Sequence, residues 1–387
     1  MSEGSEAQNG MRVGIEATSL LDARSSVGRS TACVVDALVS IDEGVRVALF
    51  PLNVRRGGRA RYAVAGDPRI EVVRSRLPER VARSIWSHVD WPPAELFCGA
   101  LDVYWAAESI LPPLVKAAGI FSVHDLAYVH VPETCTHDAL ALAEIVPQMV
   151  RRANRVVVPS RFVAQELAEW IPDEAARIRV VYPGVRRVFR ERGGHLTAPR
   201  REALGIREPY VVYVGSLHVR RDLDKVLSSF ELVRATHPDA QLVLVGSPGV
   251  GWDAIRARYA KLFSTDAVRV LGYLPDPEVA AIVRGANVFV YLSRYEGFGI
   301  PPLEAMVAGT PVVAAKTSAL PEALGDHARW VHPDDVDDVA SAIGDHFEGA
   351  DDASVEAARE WAAEFTWART AASMLEVFGE AMREVAA

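Results

Sequence analysis

Residues 288–313 read VFVYLSRYEGFGIPPLEAMVAGTPVV. An apolar run, Val288–Leu292, ends in a loop carrying Gly297 and Gly299, and a helix opens at Pro301 and Pro302, where proline suits the first turn. A second apolar run, Pro311–Ala314, follows the helix, so the stretch is one strand–helix–strand unit of a parallel sheet. The two glycines allow close backbone approach, and the unsatisfied N–H groups at the helix start favour an anion such as a diphosphate. Glu296 and Glu304 frame that start, and each can accept hydrogen bonds from sugar or ribose hydroxyls. Taken alone, the pair is more readily explained by Glu304 complementing the helix dipole and Glu296 being an ordinary loop charge.

The same alternation extends outward in both directions. Earlier runs are Arg12–Ile15, Arg46–Leu49, Glu71–Val73, Val103–Trp105, Gly119–Val123, Arg155–Val158 and Arg179–Val181. Later ones are Tyr210–Val214, Gln241–Val245 and Val268–Leu271. The class is α/β. Between the two sets, Arg190–Arg207 is polar, charged and broken by Gly and Pro, so it reads as a linker leading into a new helix. The expected organisation is a disordered tail over 1–10, a first Rossmann-like domain over 11–190, a second over 191–365, and a closing helix over 366–387. In such sheets ligands sit beyond the carboxyl ends of the strands, which is where chemistry is sought.

Composition narrows the function classes. A chain of 387 residues favours two domains. Its 42 Lys+Arg against 51 Asp+Glu give −9, which argues against general affinity for nucleic acid backbones. Only four of the basic residues are Lys, so no single Arg is evidence of phosphate binding. Cys33, Cys98 and Cys135 are too few for a disulfide framework and lack metal-ligand spacing, which makes a reducing cytosol the default. The start, MSEGSEAQNG, lacks the basic and apolar regions of a signal peptide, and no apolar run reaches membrane-spanning length. The expected location is cytoplasmic, either free or peripheral at the inner face of a membrane.

The string EGFGIPPLE, two Glu separated by seven residues, strongly resembles the signature of retaining glycosyltransferases of family 4, which have the B fold of two Rossmann-like domains facing a cleft. The resemblance runs through roughly residues 11–380. MRVGIEATSLLDARSSVGRST is similar to the family's first strand and loop, whose glycine here is Gly28. The resemblance places Ser26 and Asp125 on the acceptor side. In HDL after the strand Gly119–Val123, His124 matches the family's active-site histidine beside the transferred sugar. YVVYVGSLHVRRDLDKVLSSF is similar to the strand, glycine turn and basic pair at the donor diphosphate, giving Gly215, Ser216, Arg220 and Arg221. Relatives commonly have Lys at the second basic position, and Arg221 departs from this. VRVLGYLPDPEVAAIV resembles the segment lining the nucleotide base, with Leu274 at the contact; a core leucine is the even alternative. Gly297, Phe298, Gly299, Ile300 and Leu303 complete the donor-binding set with Glu296 and Glu304.

The resemblance implies front-face transfer with retention and without a metal or other cofactor. In it Glu296 positions the sugar, Glu304 holds the ribose hydroxyls, and His124 and Arg221 act at the reacting centre. VGSLH and SALPEALGD look most like relatives moving mannose from GDP-mannose to a glycan or glycolipid hydroxyl. A UDP-sugar donor is the alternative, as are a catalytically silent sugar-nucleotide-binding protein and a synthase acting on a phosphorylated acceptor. Between Arg55 and Arg83 stand nine Arg against three acids, a patch that could dock on anionic lipid; a solvated Arg-rich face is the preferred explanation. GxxxxGK[ST], HExxH, GxSxG and a strand-linked GxGxxG are all missing, which removes the commonest rival chemistries.

Overall fold

The computed structural model describes residues 10–22, 24–52, 66–73, 77–108 and 110–387. The tail expected over 1–10 lies outside the described residues up to position 9, as do Arg55, Arg56, Arg59, Arg61, Arg74 and Arg76 of the basic segment. The chain forms two α/β units, each built on a parallel sheet. One comprises Met1–Leu126, Ala141–Gly184 and Trp367–Ala387, the other Ala127–Leu140 and Val185–Thr366.

In the first unit the strands are β1 (Arg12–Glu16), β2 (Arg46–Phe50), β3 (Ile70–Val72), β4 (Val103–Ala106), β5 (Ala118–Ser122), β6 (Arg155–Val158) and β7 (Ile178–Val180). They lie in the order β3-β2-β1-β4-β5-β6-β7, all parallel, so the direction of winding reverses between β1 and β4. β4 and β5 are buried at every position, as expected of strands covered on both faces. One face packs Val13, Ile15 and Ile120 against Val35 and Leu38 of the Ser26–Ile41 helix and Met374 and Phe378 of the Trp367–Ala386 helix. Ser25 caps the former, its Oγ accepting the Gly28 N–H at 3.0 Å. A Cβ at Gly28 would lie 2.3 Å from the Ser19 carbonyl oxygen, so only glycine permits this approach.

The closing helix buries Thr370, Ala371, Met374, Val377, Phe378 and Ala381, the three- and four-residue spacing of one helical stripe. Arg155 and Arg179 fix it from the sheet, their Nε atoms donating to Glu380 at 3.0 and 2.8 Å.

The second unit contains β8 (Tyr210–Val214), β9 (Gln241–Val245), β10 (Val268–Gly272), β11 (Val288–Tyr291), β12 (Val312–Ala315) and β13 (Arg329–Val331). Their order is β10-β9-β8-β11-β12-β13, again parallel, with the reversal between β8 and β11. The division differs from the expected boundary at 190/191. The Arg187–Arg190 helix packs on helices Asp276–Arg284 and Ile300–Ala308, and Arg190 Nη2 donates to the Ala363 and Phe365 carbonyls at 2.9 and 2.8 Å. Residues 127–140 also cluster here rather than in the first unit, with the His130 ring stacked on Tyr295 at 5.9 Å. Among the described residues no helix is long and apolar enough to cross a membrane.

Candidate active site

In an open parallel sheet the crevice for a ligand opens where the winding reverses, at the carboxyl ends of the two strands concerned. In the second unit these are β8 and β11, neighbours in the sheet, and the residues leaving them carry the expected site. Past β8, Gly215 and exposed Ser216 form the turn, with the Tyr213 hydroxyl donating to the Ser216 carbonyl at 2.8 Å. A single 3₁₀ turn, Val219–Arg221, follows, and its cap is His218, whose Nδ1 accepts the Arg220 N–H at 3.1 Å. Burial and the Arg220 and Arg221 charges push the His218 pKa down to about 4, leaving the neutral ring that this acceptor role needs. The backbone of Arg294, beyond β11, donates to the Arg220 carbonyl at 2.9 Å, and its Nε donates to buried Asp222 at 2.6 Å. The two strand ends are thereby tied together.

Arg221 reaches across this junction. Its Nη1 donates to Ser293 Oγ at 3.2 Å, its guanidinium sits 5.5 Å from the centre of the Tyr291 ring, and it is ion-paired with Glu296. Glu296 Oε1 also accepts from the Tyr291 hydroxyl at 3.1 Å, and its N–H donates to Ser318 Oγ at 2.8 Å. The carboxylate expected to position the sugar and the cation expected at the diphosphate neutralise each other in an environment that is mostly protein.

After Glu296 and Gly297, the chain turns into the Ile300–Ala308 helix. Phe298 is buried, its ring 5.6 Å from Phe365, and Gly299 takes φ +115° as the residue before the helix. A Cβ there would stand 2.6 Å from Leu320 Cδ2, a side-chain end that would have to shift, so the positive φ is what calls for glycine. Within the helix Ile300 is half-buried and Leu303 and Glu304 are buried. Both oxygens of Glu304 accept from Arg186, from Nε and Nη2 at 2.6 Å each. Arg186 pairs on its other side with Asp276 and lies 4.8 Å from the Phe189 ring centre. Burial alone would lower the Arg186 pKa, but Glu304 and then Asp276 reverse this and hold it above the usual arginine range. Leu274 is half-buried in the loop just before Asp276, rather than a core residue.

The remaining expected residues lie in the first unit. His124 follows β5 and is half-buried, and its Nε2–H donates to the Ala107 carbonyl at 2.6 Å. Burial lowers its pKa against the smaller opposing effects of that bond and of Asp125, so the neutral ring presents Nδ1 as an acceptor. Asp125 is half-buried, Gly28 is buried, and Ser26 is the exposed first residue of its helix.

Two groups escaped the sequence reading. Arg186 carried no signal in a chain with so many arginines. Glu16 did carry one, since an acid closing a buried parallel strand breaks the apolar pattern. It is fully buried at the end of β1, with Oε1 accepting the Thr18 N–H at 3.1 Å and Oε2 lacking a hydrogen-bond partner among the described residues. Burial, reinforced by Glu108, pushes its pKa up to about 7.

Comparison with known proteins gives this geometry a family context. Residues 197–361 match the family model described as "Glycosyl transferases group 1". The chain is 35% identical over 135 residues to O-antigen chain mannosyltransferase B of Escherichia coli, covering 35% of each protein. It is 30% identical over 293 residues to D-inositol 3-phosphate glycosyltransferase of Mycolicibacterium gilvum, covering 73% of this chain and 64% of that one. The chain thus spans between about a third and two thirds of the length of these curated relatives. Sucrose-phosphate synthase from Thermosynechococcus elongatus superposes with a TM-score of 0.71 at 19% identity, covering 95% of this chain and 98% of that one, which shows a shared fold. Residues 197–361, the stretch that matches this family model, hold the cluster at the ends of β8 and β11.

Proposed function

We propose that this protein is a retaining glycosyltransferase that moves mannose from GDP-mannose to a hydroxyl of a glycan or glycolipid. The observation that carries the reading is the convergence, at the β8–β11 reversal, of a glycine turn, a basic pair, a glycine-led helix mouth and two buried carboxylates. The mannosyltransferase relative supports the choice of sugar. In this mechanism the diphosphate lies against the Gly215–Ser216 turn and the first amides of the Ile300–Ala308 helix. As the glycosidic bond to phosphate breaks, negative charge grows on the leaving diphosphate, and Arg220 and Arg221 stabilise it from fixed positions.

Arg221 meets the diphosphate from this held position, and Glu296 accepts hydroxyls of the transferred sugar. In the first unit, the neutral His124 ring offers Nδ1 as an acceptor for a sugar hydroxyl. The acceptor oxygen attacks from the face the diphosphate leaves, and a phosphate oxygen takes its proton, so no covalent enzyme intermediate and no metal is needed. A UDP-linked hexose is the second donor reading, because base and epimer selection rest on few contacts such as Leu274.

A thermal-shift panel of GDP-mannose, UDP-glucose and ADP-glucose tests the assignment. A ligand that binds the folded state alone raises the melting temperature. The expected order puts GDP-mannose first. A larger shift with UDP-glucose would transfer the assignment to that donor, and no shift with any of the three would overturn it.

A further inference from the structure

Nothing in the family signature singles out Arg186, yet it makes the densest polar contacts of the donor-side carboxylates. Its Nε and Nη2 each donate to one oxygen of Glu304 at 2.6 Å, and its Nη1 pairs with Asp276. Glu304 lies in the Ile300–Ala308 helix, the ribose side of the proposed donor site. Asp276 is the first residue of the Asp276–Arg284 helix, two positions after Leu274 on the proposed base side. One planar guanidinium therefore spans the two elements that would grip the nucleoside. Its own backbone is anchored by the Arg187–Arg190 helix, whose Phe189 is buried and lies under the same guanidinium.

The chemistry of this arrangement is specific. A carboxylate offers about four acceptor sites on its two oxygens, and a fork of two parallel N–H donors uses one site on each. On Oε1 the second site takes the Arg186 backbone N–H at 3.4 Å, which leaves one site, on Oε2, directed away from the fork. The bidentate fork also fixes the plane of the carboxylate, which a lysine ammonium, a point charge with rotating donors, would leave undetermined. The geometry points to Arg186 as the positioning residue of the nucleoside site, setting the plane of Glu304 for a ribose hydroxyl and holding the base-side helix beside it.

This inference rests on the nucleotide reading above, and its test separates the two. Calorimetry on the full chain is run with whichever of GDP and UDP binds wild type, and with its 2′,3′-dideoxy analogue. Wild type is expected to prefer the hydroxylated nucleotide by about tenfold or more, the strength of hydrogen bonds to a charged partner. Arg186→Ala should lose most of that preference while still binding the dideoxy analogue about as wild type does, and Arg186→Lys should restore only part of it. Asp276→Asn, which keeps the Glu304 fork, guards against a folding defect in the first variant and should retain the hydroxyl preference with weaker binding of both nucleotides. An Arg186→Ala protein that discriminates as wild type does, or one that loses both nucleotides equally, would overturn the proposal. Failure of wild type to bind either GDP or UDP would instead remove the nucleotide reading beneath it.

Discussion

Arg221 is held from three sides, by Ser293, the Tyr291 ring and Glu296, so its guanidinium is oriented before any phosphate arrives. Preorganised donors of this kind typically contribute about 10²–10³ in turnover. Arg221→Ala is expected to lower turnover per folded molecule by about 100-fold, measured with folded fraction fixed by near-UV circular dichroism; normal turnover would remove Arg221 from the diphosphate site. Glu16 presents a different balance. Its pKa rises from 4.5 to about 7 on folding, so between these values the unfolded chain has lost a proton that the folded one keeps. Stability from this group is therefore complete below pH 4.5 and declines as pH rises to about 7. The loss is about 3 kcal/mol, since each tenfold change in proton affinity on folding is worth about 1.4 kcal/mol. Glu16→Gln should flatten the dependence and make the protein more stable than wild type at pH 8. Urea titrations at pH 5 and pH 8 check this, and a variant with the wild-type slope would contradict it.

Among the elements, the Trp367–Ala386 helix matters most to the first unit, because its buried stripe closes one face of that sheet. Phe378 is wholly buried in that stripe, and Phe378→Ala should destabilise by about 3–5 kcal/mol in chemical denaturation. A loss below about 1 kcal/mol would mean the helix is dispensable to the core. This helix was legible in the sequence, as were β6, β8 and β9 to the residue, because strongly apolar runs bounded by polar residues leave little choice of register. β13 was not: it is three residues long, and only Val331 is buried. The placement of residues 127–140 in the second unit was equally invisible, since the His130–Tyr295 stack depends on tertiary contact and on no local pattern. The family resemblance pointed to Glu296, Glu304 and the basic pair, which the fold places after β11 and β8. It could not show that Glu304 faces Arg186, because a partner 118 positions away leaves no periodicity to read.

For the molecule as a whole, two parallel sheets each reverse their winding at one point, and each reversal offers one crevice at its strand ends. The proposed chemistry assigns the donor to the second unit and the acceptor to the first. With diphosphate charge met by Arg220, Arg221 and helix-start amides, turnover should survive a chelator. Activity lost in EDTA and restored by Mn²⁺ or Mg²⁺ would show that a cation shares that work. The most direct measurement is a crystal structure of the full chain with GDP-mannose. The diphosphate is expected against the Gly215–Ser216 turn and the amides that open the Ile300–Ala308 helix, with the ribose on Glu304. A diphosphate bound anywhere else, or a ribose without contact to Glu304, would contradict this placement.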